Sequence, residues 1–150
     1  MLLLFLKWAR RETRMKSKPR ARKSQSAADK LALAQKHLRR VQIAWDDPTN
    51  WDDLSVFGFY CLEAAVEAAA LHLRIKTSTK HWEKAEVAEM LHKKHALPDV
   101  SGLLIDLNDA RKATTYGDVD APDLDAEALA SDIETYVEAV AALLSRSKEK

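Results

Sequence analysis

Apolar residues recur along this chain at steps of three and four, in blocks separated by short polar breaks. Ala27, Leu31, Ala34, Leu38, Val41 and Trp45 fall on one stripe and predict a first helix near 26–45. Asp46-Asp47-Pro48-Thr49 should end it, because proline disfavours the helical conformation in the residue before it. Asn50 suits the N-cap of a second helix, with Asp52 and Asp53 in the first turn facing the positive end of the dipole. That helix should continue through Phe57, Tyr60, Cys61, Ala64, Ala68 and Leu71 to about Ile75. Its small Ala64–Ala70 stretch permits close approach by neighbours, which makes it the expected central helix.

Thr77-Ser78-Thr79 should cap a third helix near 80–94 that carries Trp82, Ala85, Met90 and Leu91, with a break at Ala96-Leu97-Pro98. Asp99 or Ser101 should cap a fourth near 100–116, which Gly117 is placed to stop in a left-handed conformation. After an Asp118–Pro122 turn, Asp123 or Asp125 should cap a fifth helix with Leu129, Ile133, Val137, Val140 and Leu144 as its buried stripe. No run alternates long enough for a strand, and no internal repeat occurs. Short connections make antiparallel neighbours, so the expected fold is all-α, an up-down antiparallel bundle of about five helices.

Composition agrees with that expectation. With 150 residues the chain can bury a core of its own, and 3 Gly and 4 Pro beside 47% hydrophobic residues favour a helical globular domain. One cysteine, Cys61, rules out an internal disulfide and suits a reducing, cytoplasmic setting. The formal charge of +1 hides an asymmetry: residues 1–30 carry ten Lys or Arg against Glu12 and Asp29, and the remainder is acidic. Residues 1–25 therefore read as a basic, disordered tail, of which 1–23 should be dispensable for folding, 26–145 as the bundle and 146–150 as a frayed end. Met1–Leu6 is apolar but too short to span a membrane, and it lacks the order of a secretory signal. Met15 is an alternative start that would make residues 1–14 an upstream extension. The basic run Lys16–Lys23 would bind phosphates if presented, although a solvated tail is the simpler expectation.

One segment stands out chemically. From Asp99 to Glu138 the chain has eleven acidic residues and only Arg111 and Lys112 as bases. In Arg111-Lys112-Ala113-Thr114-Thr115-Tyr116-Gly117-Asp118 a guanidinium precedes a phenol near a helix stop. Arg111 either holds a phosphate or pairs internally with Glu63, Glu67 or Asp118. Tyr116 either lines a cleft or closes the core with a wet hydroxyl; it lies about 140° from Arg111 around a helix. His81 reads first as a structural first-turn residue, and His37 as a polar-face residue. His72, His92 and His95 complete no metal ligand set, Cys61 should be buried and inert, and Trp45, Trp51 and Trp82 look like core or interface anchors. No phosphate loop, nucleophile elbow or zinc-binding helix motif is present.

Three stretches together resemble the HEPN domain family: Phe59-Tyr60-Cys61-Leu62-Glu63-Ala64-Ala65, then Thr79-Lys80-His81-Trp82, then the late Arg111. The resemblance covers about residues 26–144 and is closest to a prokaryotic subset in which Arg is followed five residues on by Tyr, here Tyr116, rather than by His. It implies a homodimer whose Arg-bearing helices meet in a composite cleft. It also implies the HEPN component of a toxin–antitoxin system, with a nucleotidyltransferase-like antitoxin as partner, RNA as target, and neither a cofactor nor a metal. On this basis Arg111 and Tyr116 would be catalytic, with Glu63, His81 and Asp118 lining or supporting the cleft. Tyr116 weakens the expectation of a metal-independent ribonuclease, because a phenol titrates near pH 10 and an imidazole near neutrality. The alternative is a non-catalytic HEPN dimer that acts through a protein partner. An acidic domain disfavours extensive RNA contact unless positive charge is focused locally at the cleft.

Overall fold

The computed structural model describes residues 25–77, 79–115 and 123–148; the expectations for the basic tail, Tyr116, Gly117 and Asp118 fall outside this range. The described residues form an all-α bundle: α1 (Ala27–Ala44), α2 (Trp51–His72), α3 (His81–His95), α4 (Ser101–Thr115) and α5 (Ala126–Lys148).

Four of the five described helices have a side chain that caps their start. Ser26 and Asp29 form a reciprocal capping box on α1. The Asn50 side chain accepts from the Asp53 N–H at 3.1 Å. Asp99 accepts from the backbone and hydroxyl of Ser101, and Asp125 accepts from the N–H groups of Glu127 and Ala128. The expected Thr77–Thr79 cap of α3 is corrected: Lys80 occupies the N-cap, and no side-chain hydrogen bond caps the helix there.

The ends also differ in detail. α2 stops three residues short of Ile75, because Arg74 enters the left-handed region (φ 58). There the N–H of Arg74 bonds Leu71 O and that of Ile75 bonds Ala70 O, a Schellman closure with arginine where glycine is usual. Ala96 ends α3 with φ 57. α5 continues through Lys148.

α2 touches each of the other four helices. Its Ala64, Ala65, Ala68, Ala69 and Ala70 are buried, so neighbouring backbones can approach it from several sides. The expected stripe of α5 is buried in full, and Tyr136 joins it as the largest fully buried side chain. On α2 the aromatic assignment is corrected. Phe59 is the buried ring, 1% exposed, whereas Tyr60 is 36% and Leu71 42% exposed. Trp82 is no core anchor at 60% exposure, while Trp45 and Trp51 pack against the core as partly buried groups.

Candidate functional site

Two acidic residues one helical turn apart, Glu63 and Glu67, sit in the largely apolar middle of α2. Burying carboxylates is costly unless they are paired, and cations from two helices meet them. Lys84 of α3 reaches Glu67 at 2.6 Å and Glu63 at 3.2 Å with only 8% of its side chain exposed. Lys30 of α1 reaches Glu67 at 2.7 Å. Burial alone would raise the Glu67 pKa; hydrogen bonds from Lys30 and Lys84 outweigh it and hold the carboxyl below its ordinary value. Burial likewise works against the charge on Lys84, yet its bonds to the two glutamates keep its pKa above the usual lysine value.

Glu63 has a second partner. Its Oε2 lies 2.5 Å from Nδ1 of His81, the first residue of α3. The His81 side chain remains 43% exposed while the carboxylate holding it is 7% exposed. A buried carboxylate fixing one nitrogen of a half-open imidazole sets the ring's orientation and leaves Nε2 as its other polar atom. Sequence reasoning assigned His81 to the first turn and named it a supporting cleft residue; its link to Glu63 was not read. The clue was the i, i+4 glutamate pair on an apolar helix, which demands cationic or protonated neighbours.

Arg111 lies close by on α4. Its guanidinium stacks over Phe59 at 4.9 Å and Tyr60 at 5.6 Å, and Nη2 donates to Asn108 Oδ1 at 2.8 Å. His81 packs edge-on against the same Phe59 ring at 5.2 Å. Glu63, one of the candidate partners of Arg111, is engaged by His81 and Lys84, while two rings and the Asn108 amide contact the guanidinium. Beside this cluster, α3 and α4 bound a groove of about 230 Å³, lined in part by His81, Trp82, Asn108 and Lys112. Glu63, His81 and Arg111 are therefore brought together around Phe59, whereas Tyr116 and Asp118 lie outside the described residues.

The remaining candidates separate from this cluster. Cys61 is buried, its Sγ 3.2 Å from Ala34 O, and burial pushes its thiol up to about 12, which suits the expected inertness. His92 is held by Leu97 O at 2.8 Å. Among the described residues no group of three or more His, Cys, Asp or Glu could hold a metal ion. α2 is long and apolar enough by composition to cross a membrane, but 72% of its most apolar window is buried inside the bundle. Comparison with known protein families, curated proteins and solved structures finds no match for this chain.

Proposed function

We propose that this chain is an HEPN-like up-down bundle that acts on RNA, with Arg111 as its phosphate-holding group and the Glu63–His81 pair as its proton-transfer group. One observation carries this proposal: Arg111 and His81 pack against the same Phe59 ring, beside an open groove. With Tyr116 at the place of the family's histidine, His81 supplies the imidazole from another helix. In the Nδ1–H tautomer, Glu63 accepts from the ring and Nε2 takes the proton of a ribose 2′-hydroxyl. The 2′-oxygen bonds to phosphorus, the bond from phosphorus to the 5′-oxygen breaks, and that oxygen takes a proton from solvent. Arg111 stabilises the charge gathered on the phosphorane. The protein would work in the cytoplasm as a homodimer, in a toxin–antitoxin pair with a nucleotidyltransferase-like partner.

The test is cleavage of single-stranded RNA by purified protein. The wild type should leave 2′,3′-cyclic phosphate ends, and Arg111→Ala and His81→Ala should each lower the rate by at least about a hundredfold. Absence of cleavage by the wild type would refute the enzymatic role.

A specific observation favours a second reading, a non-catalytic dimer that docks a protein. Trp82 and Ile105, 60% and 54% exposed, both line the groove. Aromatic and aliphatic anchors of this kind are typical of protein interfaces. Copurification of a partner lost on Trp82→Ala, with no RNA cleavage, would favour it.

A further inference from the structure

A line of rings and cations leads away from His81 and Arg111 across the faces of α2 and α1. Arg111 lies over Tyr60 at 5.6 Å. Tyr60 is 6.1 Å from the His37 ring, and His37 is 6.0 Å from Phe57. Arg40 covers Phe57 at 5.4 Å. Three rings, Tyr60, His37 and Phe57, thus run between the guanidinium of α4 and Arg40 in the C-terminal half of α1. The outer end is positively charged: Lys36, Arg39 and Arg40 are exposed, and residues 35–42 contain no acid. The charges of Lys36 and Arg40 reach His37, where they add to burial in holding its pKa below the ordinary histidine value.

We infer that this strip is a binding track for single-stranded RNA, with bases stacking on Tyr60 and Phe57 and phosphates held by Lys36, Arg40 and Arg111. The inference rests on the RNA-directed reading above and names the form of RNA and the path it takes. The π-face of any base can lie on these rings, and the flanking cations answer the backbone. A duplex hides its base faces and could use only the cations. A second copy of the chain fits poorly, because a two-fold contact would set this cationic strip against itself. An acidic bundle has here the local focus of positive charge that RNA contact demands.

The experiment uses full-length protein and a fluorescein-labelled oligouridylate of roughly twelve nucleotides, a length within the span of known single-strand sites. Its 2′-O-methyl sugars prevent cleavage, and anisotropy is read for the single strand and for its duplex. The single strand should bind more tightly than the duplex. Tyr60→Ala should weaken binding about tenfold, the loss of one stacked base, and Tyr60→Phe should restore it. Arg40→Ala should weaken binding and lower the salt slope by about one. Both side chains are exposed, so melting curves should be unchanged; should Tyr60→Ala unfold, Arg40→Ala still decides.

Equal affinity of wild type and variants overturns the track. So does conversion of a dimer to a monomer by the variants, which would assign the strip to a contact between copies. Cleavage of unmodified RNA separates the two proposals. Normal cleavage and KM in Tyr60→Ala and Arg40→Ala, with Arg111→Ala inactive, defeats the track and leaves the ribonuclease. Strip-dependent binding without cleavage leaves the track and defeats the ribonuclease. Neither binding nor cleavage by the wild type defeats both.

Discussion

Replacing Lys84 by methionine tests whether the buried ion network holds α3 to the bundle. Methionine preserves most of the aliphatic stem and deletes the ammonium that lies 2.6 Å from Glu67 and 3.2 Å from Glu63. Removing one member of a buried pair costs about 3–5 kcal/mol when the remaining charge is left alone. Here neither carboxylate is abandoned, because Glu67 keeps Lys30 at 2.7 Å and Glu63 keeps His81. The expected loss is therefore smaller, about 2 kcal/mol at neutral pH, after reducing that range for the surviving partners. For a domain of this size it lowers the melting temperature by about 4–8 °C.

Urea denaturation of wild type and Lys84→Met at several pH values would measure the loss. Burial raises the Glu67 pKa, but the hydrogen bonds of Lys30 and Lys84 hold it below 4.5 overall. Its contribution is thus present above pH 4.5 and is lost as pH falls through the depressed folded value. The gap between the two proteins should be constant near neutrality and narrow in acid. A loss under about 0.5 kcal/mol at neutral pH, the scale of an ordinary surface substitution, would refute the reasoning.

Four further substitutions have directions argued from local geometry, each measured by chemical denaturation. Gly58→Ala should destabilise by about 1 kcal/mol, because overpacking outweighs the propensity gain of alanine: its Cβ would lie 3.1 Å from Ile133 Cδ1 in the core. Gly102→Ala, with nothing within 4 Å, should instead stabilise. Tyr136→Phe should stabilise by about 1 kcal/mol, since the Tyr136 hydroxyl is buried with no hydrogen-bond partner among the described residues and burial pushes its pKa up. Arg74→Gly should add about 1 kcal/mol by relieving the left-handed strain at φ 58; a loss would show that the arginine side chain contributes more than its backbone costs.

The helices were legible where one face alone meets the core. On α5 the stripe from Leu129 to Leu144 has a single solution, and the structure adopts it. α2 is surrounded, and apolar periodicity then stops discriminating between neighbours. Phe59 and Tyr60 are adjacent and equally suited to burial by type, and only the packed neighbours select Phe59. The site was legible as separate residues. Arg111 stood out as a rare base in an acidic half, and Glu63 and His81 were named beside it. Their connection was not, because the His81–Glu63 bond spans 18 positions and depends on how α3 crosses α2. Lys84 was missed altogether: a lysine between Glu83 and Ala85 looks solvated until Glu63 and Glu67 are seen to need a cation. The termination of α2 at Arg74 was also hidden, since arginine carries no signal for a left-handed residue.

The central position of α2 bears on how the chain acquires its structure in time. A 22-residue apolar segment leaves the ribosome before the residues of α3, α4 and α5 that will cover it have been made. Among the described helices α1 precedes it and packs on it through a short connection, so the α1–α2 hairpin is an early native shelter. Until synthesis reaches Leu144, the side of α2 destined for α5 stays open to chaperones, membranes or other nascent chains. Substitutions that loosen the α1–α2 contact should therefore lower the yield of folded protein more than their effect on equilibrium stability indicates. Equal losses placed in the α2–α5 contact should chiefly hasten unfolding.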